Sequence, residues 1–216
     1  MLMSFNLLFP ALLETLYMTF AASIIAGLIG LPLGFILFTT RKQGLLAEPT
    51  LNKILSFIIN VLRSVPFIIL LVAIIPFTRL VVGTTIGTTA AIVPLIVGSI
   101  PFIARIVEKA LEEVPYGLTE AALSLGATPT QIMTKVLFPE ALPGIIHGIT
   151  LTVIAIISYS AMAGAVGGGG LGDLAIRYGY QRFDMTIMLE TVVLLIILVQ
   201  LIQMLGDSLA SYFNRR

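Results

Sequence analysis

Five long, nearly uncharged apolar runs constrain this chain more than any other feature. They cover residues 16–38, 54–77, 80–104, 142–166 and 185–205. Each meets or approaches the length of about 20 apolar residues that a helix needs to cross a hydrocarbon core. The runs are too long and too uniformly apolar for the alternating strands of a membrane barrel, so helices must pair the backbone groups in lipid. We predict an all-α membrane protein with five transmembrane helices.

The composition of the 216-residue chain excludes several other classes of protein. Only 11% of its residues are charged, against about 25% in a soluble domain. The net charge of +1 gives no reason to expect a nucleic acid partner. The absence of cysteine excludes disulfides, and the single histidine, His147, excludes a multi-histidine metal site within one chain. No basic residue precedes Arg41, so we interpret the first run as a retained span rather than a cleaved signal.

Basic residues in the connections between the runs predict the orientation. On one side of the membrane fall eight of them, namely Arg41, Lys42, Lys53, Arg105, Lys109, Lys135, Arg215 and Arg216. On the other side fall Arg79, Arg177 and Arg182. Because short cytoplasmic loops carry the excess of basic residues, the N-terminus is predicted outside and the C-terminus inside. Residues 1–216 contain no linker that would mark a second domain, so we predict a single membrane domain.

A polar segment, residues 112–140, separates the third run from the fourth and is predicted to be cytoplasmic. Just before it, residues 101–114 place apolar side chains on one helical face and charged ones on the other, which predicts an interfacial or partner-facing helix. Within it, residues 118–125 have the composition of a helix, and Gly126 stands where a left-handed residue would end that helix.

A second short helix is predicted to follow Gly126 at once. Thr128 is a good N-cap, Pro129 suits the first helical position, and Gln131 completes a Thr-x-x-Gln capping box. We expect this helix to stop near Pro139, ahead of the fourth span. The pattern predicts a stiff helix–turn–helix element on the cytoplasmic surface. An ordinary amphipathic loop between spans remains the alternative, although a loop without a role is more often short.

The same residues carry a family resemblance. Glu120-Ala121-Ala122, three residues, Gly126, nine residues and then Val136-x-Phe138-Pro139 resemble the EAA signature of bacterial ATP-binding-cassette (ABC) importer permeases, with Val and Phe in place of Ile and Leu. In that family the segment forms coupling helices that dock in a groove of a cytoplasmic ATPase. The resemblance implies a coupling role for Glu120, Ala121, Ala122, Gly126, Ala127, Thr128, Pro129 and Pro139.

Four further stretches, residues 63–79, 88–95, 101–105 and 160–183, resemble the methionine branch of this permease family. The resemblance implies import of an amino acid, methionine, across the bacterial inner membrane by alternating access; a permease for another amino acid or small solute is the alternative. The implied partners are a second copy of this permease, two copies of the cytoplasmic ATPase, and an extracellular or periplasmic substrate-binding lipoprotein. This chain has no G-x-x-x-x-G-K-[ST] loop, so ATP and Mg²⁺ are expected on the ATPase and the chain itself is not expected to be an enzyme.

Three residues within the runs are candidates for the translocation path. Pro94 would free carbonyl groups in the third span, as in the broken helices that form some transport sites, and Ser160 and Met162 supply a hydroxyl and a soft thioether to the fourth. Ordinary helix packing explains each of them equally well. Residues 167–172 match G-x-G-x-x-G, but they follow a span rather than a strand, so we expect a flexible outer turn for a binding protein instead of a dinucleotide site.

The few ionisable residues within or beside the spans leave their roles open. Arg63 is either a charge inside the second span or, if that span starts near Val65, an anchor at its cytoplasmic end. His147 is predicted to make a polar packing contact rather than to relay protons, and Glu190 could pair between helices. A self-sufficient channel or ion-coupled carrier would need more buried acids or proton-relay groups, since only His147, Glu190 and Glu14 qualify.

Overall fold

The computed structural model describes residues 2–42 and 44–214 and is helical almost throughout, with no strand among the residues described. The predicted all-α fold is thereby confirmed. In chain order the helices are α1 (Leu2–Thr40), α2 (Pro49–Ser64), α3 (Phe67–Ala73), α4 (Ile75–Val82), α5 (Thr88–Glu112), α6 (Tyr116–Ser124), α7 (Pro129–Ile132), α8 (Phe138–Gly164), α9 (Gly170–Leu174) and α10 (Met185–Phe213). Two π-helical segments, Met133–Leu137 and Ala175–Tyr180, continue α7 into α8 and extend α9.

Four stretches of helix are long and apolar enough to cross a membrane. They are Asn6–Thr40, Thr88–Glu112, Pro129–Gly164 and Met185–Phe213. A fifth crossing exists only if α2 and α3, which meet at a bend of 100°, are taken together as one broken span. The structure therefore has four candidate spans, or five if the broken one is counted, and the predicted number of five is reached only in the second case.

The second and third predicted spans differ from the structure in where their helices break. Residues 54–77 do not form one helix, because the chain is interrupted at Val65-Pro66 and again at Ile74. Proline lacks an N–H donor and forces the residue before it out of the α region, and Val65 is indeed extended, with φ −83° and ψ 123°. In the third run, residues 80–82 belong to α4, which ends at the left-handed Gly83, and the crossing helix begins only at Thr88.

One predicted helix end in the cytoplasmic segment is wrong. The helix expected at 101–114 is present as the last part of α5, which runs without a break from Thr88 to Glu112. The second helix of the helix–turn–helix element does not stop near Pro139, but continues through the π segment Met133–Leu137 into α8. The N–H of Phe138 bonds to the carbonyl of Met133, five residues back. This widened turn lies directly before Pro139, whose missing N–H and bulky ring a regular helix accommodates poorly in its interior.

Small residues set the packing of the long helices. Gly30 and Gly34 of α1 face Ile103 and Val107 of α5, and an added Cβ would lie 2.7 Å from the Ile103 Cβ and 2.5 Å from the Val107 Cβ. The matching order shows that α1 and α5 run parallel. On the other side of α5, α8 runs antiparallel to it, since Gly144 faces Ala110 while the later Gly148 faces Ile106. The α10 helix packs on α8, where Gly206 is pressed against Thr150.

These directions define two ends of the bundle. The end that carries the hairpin, which consists of α6, the turn at Gly126 and α7, is called the hairpin end; there α1, α5 and α10 finish and α8 begins. The end that carries the glycines 167–170 is called the glycine end; there α5 begins and α8 finishes. The start of α1 and the end of α10 consequently lie toward opposite ends. Of the basic residues counted above, the described ones in the connections sort to the same two ends as predicted, while Arg215 and Arg216 lie outside the described residues.

Candidate coupling surface and transport groove

The turn between α6 and α7 is closed by a complete set of backbone bonds. Gly126 has φ +76°, its N–H donates to the carbonyl of Leu123 at 2.9 Å, and the N–H of Ala127 donates to the carbonyl of Ala122 at 3.1 Å. Together these make a Schellman motif, in which the N–H of a left-handed residue and the N–H of the residue after it reach back to the last helical carbonyls. The predicted left-handed role of Gly126 is confirmed.

The start of α7 is closed by side chains. The N–H of Thr128 donates to Oε1 of Gln131 at 2.9 Å, and the N–H of Gln131 donates back to Oγ1 of Thr128 at 3.3 Å. Pro129 occupies the first turn, where its missing donor costs nothing. The predicted capping box is therefore confirmed, and the two helix ends that meet at the turn are both closed by residues of the hairpin itself.

A few apolar side chains seat the hairpin on the end of the bundle. Ile132 and Leu137 are fully buried in a cluster with residues of α1, α5 and α8, and Ala122 and Ala127 pack against that cluster from the hairpin. Since Ala127 follows Gly126 by one position and Ala122 lies at the helix end, this is the apolar contact that accompanies a Schellman motif. The hairpin is thus both internally closed and fixed to the bundle.

The outer face of the hairpin is exposed and partly apolar. Glu120, Ala121, Thr128 and Pro129 are all exposed, and Leu125, at the turn, is 88% exposed. Large apolar side chains along α6 are also exposed, namely Tyr116, Leu118 and Leu123. A rigid element that presents apolar side chains beyond the end of the bundle is typical of a protein-binding surface. Seven of the eight predicted coupling residues lie in the hairpin, and all of them except the inward-packed Ala122 and Ala127 are exposed.

The eighth, Pro139, lies apart from that face. It is half-buried in the first turn of α8 and lines a separate cavity of about 240 Å³ with Pro143, His147 and Glu113. On its wall His147 places Nδ1 3.5 Å from Oδ1 of Asp207 on α10. The polar contact predicted for His147 is therefore present. Pro139 does not belong to the exposed surface of the hairpin; it lies directly after the π turn at Met133–Leu137.

The three path candidates do not converge. Met162 is 45% exposed and lines an apolar groove of about 690 Å³ between α3, α8 and α10, in which Ser158 and Gln200 are polar. Ser160, only 2% exposed, points elsewhere, and its hydroxyl donates to the carbonyl of Ile157 at 2.7 Å. Pro94 is buried in α5 beside a different cavity, of about 50 Å³.

The glycine-rich turn at the other end is held rather than flexible, contrary to expectation. The N–H of Gly170 donates to Oε2 of Glu14 at 2.7 Å, and the N–H of Leu171 donates to Oγ1 of Thr15 at 2.8 Å. The carbonyl of Gly167 accepts from the N–H of Gly87 at 2.9 Å. Two side chains of α1 therefore bind the backbone that begins α9.

Glycine is required here by the closeness of α1. Gly170 has φ +77°, and a Cβ on it would lie 2.7 Å from Oγ1 of Thr15 and 2.8 Å from Cε of Met18. The bonds from Glu14 and Thr15 to this turn, which we call the Glu14 latch, were not predicted from the sequence. One signal was present, because Glu14 is the only charged residue before Arg41. A lone carboxylate in a long apolar helix needs a hydrogen-bonding partner.

Arg63 and Glu190 are placed as follows. Arg63 lies in the last turn of α2, just before the break at Val65-Pro66, with its guanidinium 4.9 Å from the centre of the Phe102 ring. The sequence favours Arg63 as an anchor at the end of the second span if that span starts near Val65, and the helix is interrupted at that position. Glu190, in α10, has a buried Oε2 for which no hydrogen-bond partner is found among the residues described.

Comparisons with known proteins agree with this architecture. The family model for the "Binding-protein-dependent transport system inner membrane component" matches residues 30–216. The probable D-methionine transport system permease protein MetI of Vibrio cholerae is 59% identical over 211 residues, which are 98% of this chain and 94% of that protein. The D-methionine transport system permease protein MetI of Escherichia coli K12 is 56% identical over 151 residues, 70% of each chain.

Two solved structures extend the comparison to the fold. One, of the MetNI methionine ABC transporter in an inward-facing conformation, superposes with a TM-score of 0.94 at 53% identity and covers 97% of each chain. The other, an amino acid ABC transporter with histidines, gives a TM-score of 0.74 at 25% identity, covering 98% of this chain and 94% of that one. The chain therefore belongs to the family of binding-protein-dependent transport system inner membrane components.

Proposed function

We propose that this chain is the membrane-spanning permease subunit of an ABC importer that carries methionine into the cell. The observation that carries the proposal is the match to the MetNI methionine ABC transporter over 97% of both chains. The relatives with D-methionine in their names support the cargo. A permease for another amino acid is the second candidate, favoured by the likeness to the amino acid ABC transporter with histidines.

In this proposal the hairpin of α6 and α7 binds the ATPase. Its exposed residues, from Glu120 to Pro129, are held in one geometry by the Schellman turn and the capping box. A rigid surface loses little conformational entropy on binding, which favours a firm mechanical contact. The functional unit contains two permeases, two ATPases that bind ATP and Mg²⁺, and a substrate-binding lipoprotein at the glycine end.

The orientation follows from the same assignment. The hairpin end faces the cytoplasm, where the ATPase is, and the glycine end faces outward. The larger share of basic residues in the connections falls at the hairpin end, including Arg41 and Lys135, as the positive-inside rule requires. The N-terminus is then outside and the C-terminus inside.

The helix connections explain how movement of the ATPase reaches the transport path. Only residues 113–115 separate α5 from α6, and no break separates α7 from α8. When ATP draws the two ATPases together, each hairpin moves with its ATPase, and α5 and α8 must move with the hairpin. Because α8 carries Met162 and Ser158 on the wall of the apolar groove, this movement alters the groove. Alternating access results from such rocking of the bundles.

Reconstitution of the permease with its ATPase and binding protein tests the proposal. In vesicles supplied with ATP, we expect uptake of labelled methionine that depends on all three components. Uptake of a different amino acid, with methionine inactive as a competitor, would overturn the cargo while leaving the importer class standing. ATP-independent uptake by the permease alone would overturn the class.

The coupling role of the hairpin has its own matched pair of variants. Gly126→Ala forces alanine into a left-handed conformation, which costs about 1–2 kcal/mol, and we expect ATP hydrolysis that is no longer matched by uptake. Gly117→Ala changes the same residue type in α6, where a Cβ meets nothing within 4 Å, and should transport normally. Normal coupling in Gly126→Ala, and also in Glu120→Ala, would contradict the assignment.

A further inference from the structure

The helix α2, at the hairpin end, has three distinct faces rather than two. Leu55 and the buried Ile59 pack against Leu37 of α1 and Ala104 of α5. A second, exposed face is apolar and consists of Leu51, Ile54, Ile58 and Val61, with Phe57 beside it at 70% exposure. The spacings of three, four and three residues keep this face in one line along the helix.

The third face is exposed and polar. It carries Lys53, Asn60 and Ser64, at spacings of seven and four residues. A helix that crosses the membrane at a lipid-facing position is apolar all round its exposed side. An exposed surface divided lengthwise into an apolar and a polar strip is instead the pattern of a helix at the boundary between lipid and water.

The contacts of α2 place it beside the charged end of the bundle. The guanidinium of Arg105 donates to the carbonyl of Ser56 at 3.3 Å and to Oδ1 of Asn60 at 3.1 Å, while also pairing with Glu108. At the start of α2, the side-chain Nδ2 of Asn52 donates to the carbonyl of Leu37, near the end of α1, at 2.7 Å. Charged groups are costly in the hydrocarbon core, which favours a position of Arg105 and Glu108 near the layer of the lipid headgroups.

The chain after α2 can complete the crossing without it. Beyond the 100° bend, α3 and α4 continue over residues 67–82 with one interruption at Ile74. Sixteen residues at helical rise span about 24 Å, most of a hydrocarbon core of about 30 Å. Most outward side chains of α3 and α4, such as Ile69 and Leu80, are apolar, and the exposed Arg79 lies in the last turn of α4, at the far end of the crossing.

We propose that α2 is an interfacial helix that binds the headgroup layer of the cytoplasmic leaflet, and that residues 66–82 form the crossing. The apolar face from Leu51 to Val61 lies against the lipid chains, and the face of Lys53, Asn60 and Ser64 lies among headgroups and water. Lys53 and Arg63 present positive charge to the lipid phosphates from the two ends of the helix. The bilayer, not a second copy of the chain, is the occupant of the apolar face.

The absence of cysteine from the chain makes the test direct. Four variants each carry one cysteine, at two pairs of neighbouring positions: Lys53→Cys is compared with Ile54→Cys, and Asn60→Cys with Val61→Cys. Each variant is spin-labelled as the full-length permease in phospholipid vesicles. Collision with oxygen reports contact with lipid, and collision with a nickel chelate reports contact with water. Labels at Ile69 and Leu80 calibrate the depth of the crossing.

We expect several-fold greater nickel access at Lys53 and Asn60 than at Ile54 and Val61, with neither of the latter near the centre of the bilayer. Protection of all four labels from nickel, with Val61 deeper than Ile54 by about the 10 Å that seven helical residues span, would show a crossing helix and overturn the proposal. Equal nickel access at all four, or dipolar broadening between labels of two copies at Ile54, would overturn it as well. None of these outcomes depends on the cargo or on the ATPase.

Discussion

The two ends of the bundle each contain a turn closed at a left-handed glycine, but the segments after the two turns are held in different ways. In the hairpin, the bonds that close the turn and cap α7 join residues no more than five positions apart, as from Ala127 to Ala122. At the glycine end, Gly167 ends α8 with local bonds of the same kind, but the start of α9 is held by Glu14 and Thr15, 156 positions away in the chain. The hairpin turn is therefore held by local bonds on both sides, whereas the start of α9 keeps its position only while α1 is packed beside it.

The difference fits what each end must do in an importer. An element that transmits force to another protein must keep its shape while its surroundings move, and local caps provide this. A turn held by a distant helix shares the stability of the whole bundle, so its shape reports whether α1 and α8 are correctly assembled. The comparison predicts that substitutions at the outer turn weaken the fold and that substitutions at the hairpin act locally.

The largest expected effect is that of Gly170→Ala. The new Cβ would meet Thr15 and Met18 in a backbone conformation that alanine rarely adopts, and strain and overpacking together should cost about 2–5 kcal/mol of unfolding free energy. Thermal unfolding of the purified permease measures it. Gly83→Ala is the matched control, with φ +83° but open space around the Cβ, and should lower the unfolding temperature much less. Equal effects of the two would show that α1 does not constrain the turn.

Glu14→Ala should have the next largest effect. It leaves the N–H of Gly170 without its carboxylate acceptor, which should cost about 1–3 kcal/mol, and it should speed amide hydrogen exchange at residues 170–171. Glu48→Ala removes an exposed carboxylate that makes no cap bond at the start of α2 and serves as the control. Unchanged exchange at the outer turn in Glu14→Ala would contradict the latch.

At the hairpin, Thr128→Ala should cost about 1 kcal/mol, the usual value of an N-cap. Because the bonds it removes are local, hydrogen exchange should rise at the start of α7 while the global unfolding temperature changes little. Thr130→Ala, two residues on and also exposed, should leave exchange unchanged. A global loss of stability from Thr128→Ala would remove the distinction between the two ends.

The smallest effect on stability is expected from Leu125→Ser. Leu125 is 88% exposed, and surface changes of this kind are usually within about 0.5 kcal/mol. Affinity for the ATPase, measured by binding of the detergent-solubilised permease, should nevertheless fall. An unchanged affinity would exclude Leu125 from the docking surface.

The same distinction explains what could be predicted from the sequence. The helix ends at Gly126 and Thr128 were correctly predicted because their bonds lie within a few residues of each other. The Glu14 latch was not, since nothing near Glu14 in the chain identifies the turn it binds. The break at Pro66 was expected only as an alternative start of the second span near Val65, because residues 54–77 are apolar almost throughout. The passage of the helix through Pro139 depended on a π turn that leaves no distinct sequence signal. Ser160 was assigned to the path because the sequence does not determine which face of α8 is outward.

The unbroken helix from Pro129 to Gly164 has a mechanical consequence. Its 36 residues form a rod about 54 Å long, with the docking surface at one tip and Met162 close to the other. Pivoting such a rod by about 10° around its middle displaces each tip by about 5 Å, in opposite directions. In the proposed mechanism, closure of the ATPases at one tip is thereby converted into separation at the other.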